Sequence, residues 1–303
     1  WYNETLNTST RGSRKEFPSV AVIVATATTI TIYDGDTPDL DMWMVFTSST
    51  SNMLRVYNNQ PLEAVVMLNA KMATGAAGNG YGLTVIDLLS EVGINYDPTA
   101  SENTKSYANI EQRNDSLGQM AGSHGNIANS TINDVAMTVL PNAPIDSTTG
   151  LPIPTIAVAT DGGVSVIKDD GTVVDYTWST DPYGSLAFKD NYLLFVGKYD
   201  VVAVMKIPAS DTTFYVEDHV EFYRTGSSDS LFKYLGNTSL ENKACTFDAV
   251  GTTLGLTKFK HNLSNYAGVG GTSNDTGASV AYLTSTYNSG YMTGDIKGAW
   301  LSD

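Results

Sequence analysis

The densest group of side chains able to do chemistry is Asp34-Gly35-Asp36-Thr37-Pro38-Asp39-Leu40-Asp41, four carboxylates within eight residues. A hard cation such as Ca²⁺ takes six or more oxygens from a flexible loop, so the run has a suitable chemistry. Its spacing departs from an EF-hand. Glycine falls at the second position, and Val45 stands where a twelfth-position glutamate is needed. A hairpin turn with acidic surface residues accounts for the run better, and no metal site is expected.

Other constellations are weaker. The histidines are His124, His219 and His261; none has a partner four residues on, and no HExxH or cysteine pair accompanies them, so zinc is not indicated. Each reads as a surface or edge residue. No GxSxG elbow occurs, and Ser165 sits between Val164 and Val166 in a strand-like run, away from any nucleophile geometry. Gly75-Ala76-Ala77-Gly78-Asn79-Gly80-Tyr81-Gly82 is glycine-rich, but no clear helix follows it to meet a phosphate, and its glycines miss the GxGxxG spacing. It reads as a long hairpin loop. A glycosidase needs two carboxylates drawn from any part of the chain; Asp169-Asp170, the obvious pair, is explained by its turn. No catalytic residue is assigned, ligand-binding residues stay unassigned, no cofactor is expected, and the reading is that of a non-enzyme. Tyr176, Trp178, Tyr183, Tyr192, Tyr199, Tyr282, Tyr287, Tyr291 and Trp300 offer flat faces with polar tips that suit sugars or interfaces. Packing between sheets is the commoner use of such residues.

These residues are carried on a pattern of short strands. Six places share one layout, an apolar strand, a Gly/Asp/Asn turn and a second strand. They begin at Val20–Ala25, Ala64–Asn69, Thr155–Thr160, Ser185–Phe188, Ala244–Phe247 and Val280–Thr284. Thr29 to Tyr33 alternates with period two, as a half-buried strand does, whereas Val20 to Ala25 is apolar throughout and suits a strand covered on both faces. Asp-Gly corners at 34–35, 161–162 and 170–171 supply positive φ at little steric cost. Meanders repeated every 40–50 residues or so are the mark of a β-propeller. The expected fold is therefore all-β, a β-propeller-like array of about five to seven four-stranded blades forming a single domain over residues 1–303. Residues 96–133, rich in Asn, Ser, Asp, Gly and Gln, read as a loop-rich insertion or a poorly formed blade, and 264–277 is similarly irregular. Thr84 to Val92 has helical spacing at Val85, Leu88, Leu89 and Val92, but the repeat favours a strand.

Composition narrows the partners. Seventeen basic against 32 acidic residues give a net charge of −15, which repels a phosphate backbone, so nucleic acid is not expected. No run approaches the roughly 18 apolar residues of a membrane-spanning helix, so no membrane insertion is expected. A single cysteine, Cys245, excludes an internal disulfide. The chain opens on Trp1-Tyr2-Asn3 and ends at Leu301-Ser302-Asp303, which reads as a piece of a longer protein. Seven Asn-x-Ser/Thr sequons, Asn7 and Asn237 among them, follow from Ser/Thr-rich loops.

Several segments carry a family resemblance: Arg14 to Pro18 with VAVIVA, Ile32 to Asp39 with Met42 to Phe46, Pro154 to Val174 (PTIAVATDGGVSVIKDDGTVV), and Thr284 to Asp303. Together, about half of the chain resembles modules recurring in structural proteins of tailed bacteriophages. The resemblance implies a virion location, as a tail-fibre or tail-associated protein in contact with other virion proteins. It also implies assembly as a homo-oligomer and contact with a host cell-surface glycan. Two alternatives stay open, a polysaccharide-degrading enzyme of a phage tail and a capsid-surface decoration module. No collagen-like or heptad segment marks a trimer.

Overall fold

The computed structural model describes residues 1–213, apart from 57–59, 77–80, 108, 148–149, 178–182, 190–191, 198–200 and 208. Beyond these it describes the strands 219–223, 245–249, 256–260 and 278–281. The protein is all-β, and nearly every described strand pairs antiparallel with its neighbour in sequence. The first sheet is β1 (Ala21–Ala25), β2 (Thr29–Asp34) and β3 (Met42–Thr47). The second runs β4 (Leu62–Leu68), β5 (Lys71–Ala76), β6 (Leu83–Asp87), β7 (Val92–Tyr96), β8 (Thr104–Tyr107) and β9 (Gln119–Ala121). The third holds β10 (Ile132–Thr138), β11 (Thr155–Thr160), β12 (Gly163–Ile167), β13 (Val173–Thr177) and the short parallel β17 (Thr212–Thr213). The fourth is β14 (Tyr183–Lys189), β15 (Tyr192–Gly197), β16 (Val201–Lys206) and β18 (His219–Tyr223), and the fifth is β19 (Cys245–Ala249), β20 (Leu256–Lys260) and β21 (Ala278–Ala281).

The sheets stack in chain order through their first strands: β1 lies against β4, β4 against β10, and β10 against β14. Strand periodicity explains how one sheet serves two neighbours, since successive side chains point to opposite faces. In β11, Ile156 and Val158 enter the core shared with the second sheet, while Ala157 and Ala159 enter the core shared with the fourth. In β6, Ile86 faces the first sheet, and Leu83 and Val85 face the third. Three cores thus separate four sheets. Aromatic and sulfur side chains fill the first, with Trp43, Phe46, Met44, Met53 and Met72 all at most 1% exposed.

The first strands of three sheets share an irregularity absent from any obvious motif. The register slips by one residue between Leu62 and Ala64, between Ile132 and Asp134, and between Tyr183 and Ser185. The extra residue is Glu63, Asn133 or Gly184, second in its strand each time. Aligned on the bulge, Leu62-Glu63-Ala64-Val65-Val66-Met67, Ile132-Asn133-Asp134-Val135-Ala136-Met137 and Tyr183-Gly184-Ser185-Leu186-Ala187-Phe188 share an apolar fourth position and a small or branched fifth. A bulge bends its strand and increases local twist. In the third sheet the bulge also ties neighbours together, because Asp134 Oδ2 accepts the Leu186 N–H of β14 at 2.9 Å.

Several expectations are corrected. The described sheets have three, six, five, four and three strands rather than a uniform four. Part of the reason lies in 96–133, which supplies the 3-10 turn Ile110–Gln112 and the outer strands β8 and β9. Gly75 and Ala76 belong to β5, and residues 77–80 lie outside the described residues. Lys71–Ala76 draws no apolar period in sequence because, Met72 aside, its buried positions are the small Ala73, Thr74, Gly75 and Ala76. The hairpin before it turns on Asn69 and Ala70, both at positive φ (49° and 63°). Val20 to Ala25 is covered on one face only: Val20, Val22 and Val24 are 57%, 37% and 41% exposed. The run beginning at Val280 joins the fifth sheet, where β21 pairs with β20. Thr84 to Val92 forms the end of β6 and a turn into β7, in keeping with the strand reading.

Candidate functional site

The acidic loop is closed by an arginine. Arg14 Nη1 donates to Asp34 Oδ1 and Oδ2 at 3.0 and 2.9 Å and to Asp36 Oδ2 at 2.7 Å. Asp36 also accepts the amides of Ser19 and Val20, and Arg14 with these amides holds its carboxyl at about 2. Asp34 Oδ1 accepts the Asp36 amide and so shapes the turn. Two of the four carboxylates are thus committed to fixing the chain before β1 against the β2–β3 corner. Among the described residues no group of three or more His, Cys, Asp or Glu is placed to hold a metal.

A second ionic cluster is buried. Residues 10–12 run beside β3, with Val45 N–H donating to Thr10 O, Gly12 N–H to Trp43 O, and Arg11 bridging antiparallel to Met44. Arg11 and Arg113 are both fully buried and flank Glu4. Arg113 donates to Glu4 Oε1, Thr10 O, Val45 O and Ile110 O, and Arg11 to Trp43 O and Lys15 O, with its guanidinium 4.4 Å from the Trp43 ring centroid. Burial lowers the pKa of both guanidiniums, and Glu4 opposes this. The contacts given are to this chain's own Glu4 carboxylate, backbone carbonyls and the Trp43 ring, so the cluster is a staple. Arg55 plays a similar part in the second sheet, stacked 3.5 Å over Tyr81 and donating to Asn95 Oδ1, Glu102 O and Thr104 Oγ1.

His124 differs from its expected surface position. Nε2–H donates to Asn95 O at 2.6 Å, the ring meets Tyr96 edge-on at 4.4 Å, and Nδ1 is buried with no hydrogen-bond partner. Burial, helped by the charge of Lys105, depresses its pKa. Asn103 fixes the same segment, donating to His124 O and Asn126 Oδ1 and accepting the Asp97 amide. No sequence motif signals this. His219 lies in β18 with its side chain outside the described residues, and His261 lies wholly outside them.

Ser165 is fully buried in β12, and its Oγ accepts the Ala128 amide at 2.8 Å. Across β12–β13 it pairs with Asp175, whose Oδ1 is buried without a hydrogen bond. Burial raises the Asp175 pKa, a hydrogen bond from Ser165 counters it, and the nearby Asp211 carboxylate adds to the rise. Asp170 serves its turn, accepting the Thr172 amide and hydroxyl. Of the aromatic residues singled out in sequence, Tyr176 is fully buried between the third and fourth sheets. The side chains of the other eight lie outside the described residues.

No family model matches the chain, and no curated protein does. Similar solved structures include a chain of the Chaetomium thermophilum polycomb repressive complex 2, at 14% identity over 87% of this chain and 48% of that one, with a TM-score of 0.42. Kluyveromyces lactis Hsv2p is 9% identical over 83% of this chain and 94% of its own, with a TM-score of 0.33. PorZ of Porphyromonas gingivalis is 11% identical over 79% and 29%, with a TM-score of 0.37. The chain spans about half the length of the first. With TM-scores under 0.5, none of these bears on function.

Proposed function

We propose that this chain is a virion structural module, a tail-fibre or tail-associated protein whose sheets form a β-propeller-like array and mediate contacts with other virion proteins, other copies of itself or a host-surface glycan. The fine architecture under this reading is a ring of five to seven blades. Its main support is that the ionic groups described above hold the chain to itself while sheets stack in chain order through their first strands. That is the economy of a scaffold. The sequence resemblance to tailed-phage modules supplies the location. Immunogold labelling of intact particles in negative stain tests it: gold on the tail is expected, gold over the capsid shell would favour the decoration reading, and particles without gold would sink the assignment.

A polysaccharide-cleaving activity is the second reading, favoured by one observation. Asp175, whose carboxyl is pushed above the ordinary range by burial, and Asp211, which accepts the Asp175 amide, bring together two carboxyl groups of the kind glycoside cleavage uses. Reducing-end release from host polysaccharide that vanishes in Asp175→Asn would move the assignment to this class.

A further inference from the structure

We infer that residues 209–213 are a proton-controlled strap over the outer edge of the third sheet, held down while the Asp175 carboxyl is neutral and let go when that carboxyl ionises beside Asp211. The chain leaves the fourth sheet after β16, places Ile207 against the core between sheets three and four, touches β13, and returns to the fourth sheet as β18. β13 is the last of four antiparallel strands, and an edge of this kind offers a row of unpaired N–H and C=O groups to any strand that approaches. What covers it is slight. Thr212 and Thr213 pair with Tyr176 and Thr177, in the single parallel pairing among the described strands. Two polar contacts reinforce them: Lys168 Nζ donates to Ala209 O at 2.9 Å, and the Asp175 amide donates to Asp211 Oδ1 at 3.1 Å.

The second of these contacts brings two carboxyl groups together. Asp211 is exposed and its carboxylate accepts the Asp175 amide, while Asp175 Oδ1 is buried without a hydrogen bond. A charge there is cut off from water, and burying an unpaired charge is costly. The surroundings offer no cation to offset it. From β12 the neighbour is the Ser165 hydroxyl. Segment 125–129, which meets the same face through the Ala128 amide on Ser165 and Gly125 beside Val173, contains no ionisable side chain. In the β12–β13 turn, Lys168 is taken up by Ala209 O and Asp170 by Thr172. Burial first, and then the Asp211 charge, favour the neutral form of Asp175 and raise its pKa. Because the folded value stands above the ordinary 3.8, the strap's hold is complete below that value and is lost as pH rises through the folded one. Neither the virion role nor polysaccharide cleavage enters, so failed gold labelling or absent sugar release leaves the inference untouched.

Hydrogen exchange of the full chain between about pH 4 and pH 8, corrected for the intrinsic exchange rate, tests the strap, since local opening is read directly as lost protection. The buried strands β11 and β12, residues 155–167, serve as the internal reference. Protection of the peptide 207–213 relative to that reference should fall at least tenfold across the range in the parent. It should stay level in Asp175→Asn, which keeps the shape of the side chain without its proton. In Asp211→Asn, which keeps the acceptor oxygen without the charge, it should fall by less. The second variant carries the test alone if the first folds poorly. Parent protection that does not change with pH would overturn the inference, and so would a fall that persists undiminished in either variant.

Discussion

Glu4 and Arg113, 109 positions apart, meet at 2.7 Å with both side chains buried. The contact ties the first residues to the segment that leaves β8, and through Arg113 to the backbone of β3. Removing one partner from such a pair strands the other charge away from water, which costs about 3–5 kcal/mol. Arg113→Met should lower stability by that order in urea melts, and Glu4→Gln/Arg113→Met should lose less than the sum of the single variants. Additive losses would mean the pair is not coupled.

His124 predicts a pH dependence. Its folded pKa lies below the ordinary value near 6.5, so the unfolded chain takes up the proton first as pH falls. Its contribution is present above that value and is lost as pH drops through it toward the depressed folded pKa. Lys105 and Tyr96 are the groups facing the ring, and burial pushes the tyrosine up to about 12, well outside this window. Parent minus His124→Gln stability should decline from pH 7 to pH 5, by at most about 1.4 kcal/mol per pH unit. A flat difference curve would contradict the buried Nδ1.

Gly75 lets β10 approach β5. A Cβ there would stand 2.3 Å from Ile132 Cβ and Cγ2. Gly75→Ala should cost about 1–3 kcal/mol by overpacking, and Ile132→Val should recover part of it; calorimetry on the pair decides.

Ala70 holds φ of 63° in a two-residue hairpin, where a side chain is strained. Ala70→Gly should raise the urea midpoint, with a gain in stability of about 1 kcal/mol. A fall would mean that the packing of Ala70 against the first core outweighs its backbone strain.

Calcium should leave the melting temperature unchanged, because Arg14 and backbone amides already occupy Asp34 and Asp36. Arg14→Met should lower it slightly at any calcium level.

Strands announced by β-branched runs and Asp-Gly corners were legible: Thr29 to Tyr33, Thr155 to Thr160 and the turns at 161 and 170 fall where period and turn chemistry put them. Lys71–Ala76 and Ile132–Thr138 were not. The first buries small residues against a neighbouring sheet, and the second carries Asn133 and Asp134 at its bulge, so neither displays an apolar period. The Asn69-Ala70 corner hid for the related reason that alanine is an unusual choice at positive φ. The buried arginines were invisible because Arg113 meets Glu4 across 109 positions and no local pattern distinguishes Arg11 from its exposed neighbour Lys15. The open side of β1 was misread because composition cannot tell a strand covered on both faces from one covered on a single face.

The slipped register at Glu63, Asn133 and Gly184 makes the chain's length tolerance discrete. Loss of Asn133 alone would remove the extra residue and turn Ile132 to the other side of its strand, emptying its place over Gly75. Loss or gain of a whole segment from one such slip to the next would leave every junction with the same geometry. Descendants of this sequence are therefore free to change by entire sheets, and hardly at all by single residues inside them.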